Sequence, residues 1–335
     1  MNEALAFVRS FDASGARQLH SAARQIFSEC GTASPSPDLF ARVGQAVKTL
    51  GDAVLDQCRP VDTADGLFVL TGLSLDDEAI GATPSHWATA GEESPHDIVL
   101  LLLSAAMGNP IAWPGQQNGR YVHNIVPARG HENEQTGASS TVLLAPHTED
   151  AFHPGRASLL LLGCMRNHDR IATTAASIRR TRLDDDAIET LTRAEVPILP
   201  DDSYTEAQAY TRQPPPAVPT LFHADDGLTL RFDPAYTPLR QAPPPYQAAY
   251  RRLTAELTRV SVSIALSPGE ILVIDNDQAV HGRVPFRPRY DGTDRWLKRA
   301  SVRVPGRHAR PPAEAAEHGY GQPVVEAHPR TGGTA

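Results

Sequence analysis

Between Tyr121 and Val304 the apolar residues come in short runs divided by turn residues, and this spacing limits the fold more than any other feature of the chain. "YVHNIVP", "STVLLAPHTE", "ASLLLLGCMR" and "ATTAASI" are apolar, rich in β-formers, and read as strands. "LFHADDGLTLRFDPAY" reads as a hairpin turning at Asp226–Gly227. "SPGEILVIDNDQAVHGRV" is a tight turn leading into a buried strand, and "RWLKRASVRV" closes the β section. Strands do not alternate regularly with helices, so a parallel α/β sheet is excluded. Neither a GxGxxG nor a Walker pattern occurs. The expected fold is mainly β with flanking helices (α+β), its core a jelly roll or double-stranded β-helix.

Before this region the periodicity is helical. "EALAFVRSF", "GARQLHSAARQIFSE" and "DLFARVGQAVKTLGDAVLD" repeat apolar residues at three- and four-residue steps, and "GLFVLTGLSLD" interrupts them as a strand. "SPHDIVLLLLSAAMGNP" is a helix punctuated by Ser94, Pro95, Asp97 and Gly108. The chain therefore reads as one domain over 1–305, with a helical layer over 1–110 and the jelly-roll core over 111–305. Residues 306–335 are poor in apolar side chains and read as a disordered tail. The Pro-rich stretch 197–220 cannot be a central strand and is a candidate lid.

The balance of 31 basic against 39 acidic residues argues against a nucleic-acid partner. The three cysteines are dispersed, with no thiolate metal pattern. The longest apolar run, "IVLLLLSAAM", is too short to span a bilayer, and the start lacks a signal-peptide pattern. A cytoplasmic protein without membrane contact is expected. The oligomeric state is not legible.

"HTEDAFHP" holds two histidines and two acids. On a strand, His147 and Glu149 would face the same side. Alone, such a pair is common on surfaces. His281, at the end of a buried strand, adds a second imidazole. Two imidazoles and one carboxylate form the facial triad of non-haem iron oxygenases, leaving sites for a bidentate 2-oxoacid and O2. Arg295 offers a fork for the far carboxylate of that acid, and Arg299, an even number of residues on, one for an amino-acid carboxylate. The bland alternatives are a strand-end histidine bonded to backbone and a solvated basic edge in "DRWLKR".

"HTEDAFHP" together with "DNDQAVHGRVPFRPRYDGTDRWLKR" resembles the clavaminate synthase-like branch of Fe(II)/2-oxoglutarate oxygenases, nearest to the arginine and asparagine β-hydroxylases of peptide-antibiotic pathways. The likeness covers roughly Gln116 to Val304, and HxE in place of the commoner HxD marks the branch. It implies His147, Glu149 and His281 as Fe(II) ligands. It implies Arg295 and Thr174 at the 2-oxoglutarate cosubstrate, with Thr173 as the register alternative. Arg299, Gln116 (or Gln117), Glu149 and Asp233 would contact the substrate. His153 is read as structural, and Asp150 and Phe152 as outside the iron's ligands. Asp233 also suits a plain turn role before Pro234. Where the arginine hydroxylases carry a second acid, this chain has Ala235, so Asp202, Asp225 or Asp226 are possible replacements.

The implied reaction is hydroxylation of a free L-amino acid at Cβ, first arginine or an arginine-like residue, then lysine or asparagine. A carrier-bound substrate, or desaturation or cyclisation on the same iron, are alternatives within the class. A non-catalytic jelly-roll binding module is the alternative outside it.

Overall fold

The structure, a computed structural model, describes residues 7–59, 63–89, 94–204 and 216–327. In chain order the helices are α1 (Ala13–Cys30), α2 (Pro37–Val47), α3 (Asp52–Cys58), α4 (Pro95–Met107), α5 (Asp185–Leu191) and α6 (Pro244–Val260). The strands are β1 (Val8–Ser10), β2 (Leu67–Thr71), β3 (Asn109–Ala112), β4 (Val122–Ile125), β5 (Leu144–His147), β6 (Leu159–Arg166) and β7 (Thr173–Ser177). They continue with β8 (Leu221–Ala224), β9 (Gly227–Leu230), β10 (Val262–Ile264), β11 (Ile271–Asp275), β12 (Ala279–Arg283), β13 (Trp296–Arg303) and β14 (Val325–Glu326).

Two sheets make the jelly roll. The larger has eight strands in the order β1-β2-β11-β6-β13-β3-β14, with β4 also on β13; the smaller is β10-β7-β12-β5. Strand β6 shows why they stack. Its Leu160 and Leu162 pack between the sheets, while Leu159 and Leu161 pack against the helical layer. The two-residue period sends alternate side chains to opposite faces, and a strand covered on both faces reads as a continuous apolar run. Each leucine so buried contributes about 1.5–3 kcal/mol. On the outer face of the small sheet, Ala176 and Val280 meet α5, α6 and the β8–β9 hairpin.

Helix α4 lies on the larger sheet beneath α1 and α2. Its start is fixed by Asp97 Oδ2, which accepts from the Ser94 backbone N–H at 2.9 Å. Helix α1 is capped by Asp12, which accepts from the Gly15 N–H at 2.7 Å.

Three expectations are corrected. In "EALAFVRSF", Val8–Ser10 is a strand paired in parallel with β2, because sheet pairing outweighs a weak helical period; residues 3–6 lie outside the described residues. The region 1–110 thus gives strands to the larger sheet as well as helices. The hairpin turns one residue earlier than read: Ala224 faces Gly227, so Asp225 and Asp226 form the loop.

The third correction is the tail. Residues 306–327 are docked, although they offer little apolar surface, because their charges match charges on the body. Glu314 receives Arg156 at 2.9 and 3.2 Å and lies 3.5 Å from Arg231, which also pairs with Glu317 at 2.9 Å. Arg307 and His308 both reach Asp275, and Arg310 reaches Asp277. Strand β14 then pairs with β3. Charged groups are buried where they are paired, and composition alone does not reveal the pairing. Residues 328–335 lie outside the described residues, as do 205–215 of the candidate lid. No helix among the described residues is long and apolar enough to cross a membrane.

Candidate active site

A pocket of about 650 Å³ opens where the two sheets part, lined by Leu162 and Leu297 from the larger and by Thr173, His281 and Arg283 from the smaller. Strands β5 and β12 run antiparallel with His147 directly opposite His281, ring centroids 4.4 Å apart. Gly282 permits this approach, since a Cβ there would lie 2.4 Å from the Leu144 carbonyl oxygen.

Glu149 reaches the same point by a different route from the one expected. Strand β5 ends at His147, so Glu149 sits on the following turn and not on a strand face. The fully buried Asn276 fixes that turn. Its Oδ1 accepts from the Glu149 N–H at 2.8 Å, and its Nδ2 donates to the carbonyls of Glu149 and Ala157 at 3.0 and 3.1 Å.

The ligand atoms of His147, Glu149 and His281 lie within 4.8 Å of one another. Glu149 Oε2 is 3.3 Å from His281 Nε2 and 3.9 Å from His147 Nε2. His147 Nδ1 donates to the Ala145 carbonyl at 2.8 Å, which leaves the Nε2 lone pair facing the pocket. Burial, then His281, lowers the His147 pKa and keeps the ring neutral. Burial would raise the Glu149 carboxyl, but Arg299, and after it the two histidines, hold it well below the usual carboxylate range. Its Oε2 is buried with no hydrogen-bond partner, as expected of an oxygen that meets a cation. The donor set and geometry fit a divalent iron.

In one arm, Arg295 is buried, donates to Thr173 Oγ1 at 2.9 Å, and has no carboxylate partner among the described residues. Burial lowers its pKa to about 10, so the cation persists and calls for an anion. Thr173, with Ala175, faces the interior, whereas Thr174, with Ala176, belongs to the opposite face. Of the two threonines, Thr173 and not Thr174 therefore faces the pocket beside Arg295. Arg283 lines the same arm and holds the loop above it through the Ser139 hydroxyl at 3.2 Å and the Val142 carbonyl at 3.0 Å.

In the other arm, Arg299 pairs with Glu149 Oε1 and donates to Gln116 Oε1 at 3.1 Å. Gln116 faces the pocket and also meets Ser203 at 3.3 Å, while Gln117 is spent on the backbone of Asn124. Asp233 lines the wall beyond. Its Oδ1 accepts the turn amides of Ala235 and Tyr236, so it serves the turn and the pocket together. Burial raises its pKa to about 6. Asp201 and Asp202 line the pocket as well; Asp226 instead pairs with Arg179 and His308.

Two neighbours of the motif have other work. Asp150, in a left-handed turn at φ 52°, accepts from Trp113 Nε1 and Tyr204 Oη, both at 2.7 Å. Burial, then Glu149, raises its pKa to about 7. His153 accepts the Gly155 N–H at Nδ1 and donates from Nε2 to the Gln322 carbonyl at 2.8 Å, so it ties the docked C-terminal segment to the Glu149 turn.

A jelly roll with two histidines and a carboxylate at its mouth, and beside them the buried Arg295 without a carboxylate partner among the described residues, has the fold and site of a non-haem iron oxygenase. The chain belongs to the taurine catabolism dioxygenase TauD, TfdA family, whose model matches residues 65–301. It is an Fe(II)/2-oxoglutarate-dependent amino-acid hydroxylase that uses O2. Among its relatives, enduracididine beta-hydroxylase of Streptomyces hygroscopicus is 38% identical over 261 residues, covering 71% of this chain and 76% of that protein. L-ornithine/L-arginine 3-hydroxylase of Catenulispora acidiphila is 31% identical over 274 residues, covering 75% and 80%. A solved asparagine oxygenase with Fe(II), 3-hydroxyasparagine and succinate matches with a TM-score of 0.79 at 30% identity, covering 88% of this chain and 93% of that one. The non-heme iron oxygenase OrfP with Fe, succinate and (3S)-hydroxy-L-Arg matches at 0.78 and 34%, over 88% and 93%.

Sequence reasoning missed His123, Asn276, Arg283 and Asp201. His123, Asn276 and Arg283 bond to partners distant in the chain, as Asn276 does to Glu149. Only the adjacency of Asp201 to the named Asp202 was a usable signal.

Proposed function

We propose that this chain hydroxylates Cβ of a free L-amino acid with a cationic, arginine-like side chain, in a specialised pathway of the peptide-antibiotic kind in the cytoplasm. The observation that carries this is the charge layout of one pocket: a cation, Arg299, close to the His147–Glu149–His281 cluster, and acids at Asp201, Asp202 and Asp233 around it. An amino acid with a carboxylate at one end and a guanidinium at the other matches that layout. The printed activities of the enduracididine and arginine relatives support the same class.

In this reading His147, Glu149 and His281 hold Fe(II), and Arg295 with Thr173 holds the far carboxylate of 2-oxoglutarate. When bound, iron, 2-oxoglutarate and O2 supply the oxidation that turns an unactivated C–H into C–OH, releasing succinate and CO2. The protein's part is placement. Arg299 and Gln116 fix the α-carboxylate end, and Asp233 with Asp201 fixes the side-chain cation. Leu162, Leu297 and Phe152 add apolar lining to the same pocket. Ala235 removes one acceptor from a guanidinium, which favours an arginine analogue with fewer free N–H groups, such as a cyclised guanidine.

The test is succinate release from iron-loaded protein across the twenty amino acids and common arginine analogues, with product mass and NMR. Substrate-dependent succinate and a product heavier by one oxygen at Cβ support the reading. Loss of two hydrogens would mean desaturation. No succinate with any of them would refute a free amino acid as substrate.

A further inference from the structure

His123 lies on β4 directly opposite Arg299 on β13, so the sheet register itself brings the two side chains together. Its Nδ1 is 2.9 Å from Arg299 Nη2. A guanidinium can only donate, so Nδ1 is the acceptor. With Nδ1 accepting, the neutral ring carries its proton on the other nitrogen, Nε2. Burial, then the charge of Arg299, drives the imidazole pKa down to about 3, and the ring is neutral.

The guanidinium is thereby held on two sides by groups of different kinds. Nη2 spends its hydrogens on two neutral acceptors, Gln116 Oε1 and His123 Nδ1. Nη1 faces the charged Glu149. The Nε–H is buried with no partner. A neutral acceptor orients the cation without cancelling its charge. An aspartate at the same place would form a second ion pair and compete with any incoming carboxylate.

We propose that His123 is a positioning residue for amino-acid recognition: through Nδ1 it holds Arg299 aimed at the substrate α-carboxylate. Position 123 is then a determinant of affinity for the carboxylate end of the substrate, separate from the acids that read the side chain. This rests on the assignment of Arg299 to the α-carboxylate made above.

The test uses His123→Leu, which removes the acceptor, and His123→Asn, whose Oδ1 restores an acceptor near the place of Nδ1. The dissociation constant of L-arginine is measured by calorimetry on anaerobic protein carrying Fe(II) and 2-oxoglutarate, which needs no turnover. The same is done with agmatine, which lacks the carboxylate, and KM and kcat follow from succinate release. Losing one charge-assisted contact weakens binding about 10- to 100-fold. His123→Leu should therefore raise the L-arginine constant and KM by that factor, leave agmatine and the 2-oxoglutarate KM unchanged, and lower kcat little. His123→Asn should recover most of the loss.

Unchanged arginine binding in His123→Leu, an equal loss for arginine and agmatine, or no recovery in His123→Asn would overturn the proposal. If the leucine variant does not fold, His123→Asp replaces it: arginine must bind more weakly than to His123→Asn, and equal binding overturns the idea. A wild type that binds a different amino acid corrects the substrate alone, and the same variants are then read on that amino acid and its carboxyl-free amine. A wild type that binds none refutes the role of Arg299, and His123 with it.

Discussion

Replacing Arg295 by lysine separates the two arms of the pocket. The guanidinium is buried, spends one donor on Thr173 Oγ1, and keeps an unpartnered Nε–H. Its remaining donors can grip a carboxylate at two points, whereas an ammonium of the same charge offers one contact at a time. One charge-assisted hydrogen bond is worth about 1.5–3 kcal/mol, so the KM for 2-oxoglutarate should rise about 10- to 150-fold in Arg295→Lys. The loss should not spread to the amino acid, whose proposed contacts are Arg299 and Gln116 in the other arm. The assay is succinate release with each substrate varied in turn, with folding checked by circular dichroism. An unchanged KM for 2-oxoglutarate, or a rise confined to the amino-acid KM, would refute the assignment of the arms.

Other outcomes follow from the same geometry. His147→Ala should lose iron in a metal assay while keeping its circular-dichroism spectrum; retained stoichiometric iron would remove the triad from consideration. Glu314→Ala leaves Arg156 and Arg231, both fully buried, one anion short, and should cost about 3–5 kcal/mol in urea unfolding or expose 306–327 to protease, whereas a loose tail would change neither. His308 sits between Asp226 at 3.0 Å and Asp275 at 2.8 Å, and both ring nitrogens must donate to satisfy both carboxylates. Burial opposes its protonation, but Asp275 and then Asp226 raise its pKa above 6.5. The stabilisation is complete below 6.5 and is lost as pH rises through the folded value; the stability difference between wild type and His308→Asn should shrink over that range, and a constant difference would refute it.

What could be read from the chain divides along physical lines. Strand β6 and helix α4 announced themselves because a local period repeats often enough to be counted. The clustering of His147, Glu149, His281, Arg295 and Arg299 in one pocket followed a motif pair whose spacing constrains both halves. The route of Glu149 into the pocket could not be read, since it depends on the Asn276 side chain and not on strand alternation. Thr173 and Thr174 differ only by which face of β7 they occupy, and a one-residue register exchanges them. The docked C-terminal segment was illegible for a different reason. Its stability resides in complementarity with Arg156, Arg231, Asp275 and Asp277, none of which is near it in the sequence.

That segment also sets an order on synthesis. A ribosome delivers both ligand-bearing strands, and the turn with Glu149, before it delivers Glu314 and Gln322. The sheets can pair while the chain is still growing, as folding during translation allows. Arg156 and Arg231 nevertheless wait for Glu314, and His153 waits for the Gln322 carbonyl. A chain that ends just after β13 therefore carries His147 and His281 on their strands and Glu149 on a turn whose C-terminal partners are still missing. The residues of the triad are thus made first, and the segment that braces the Glu149 turn is made last.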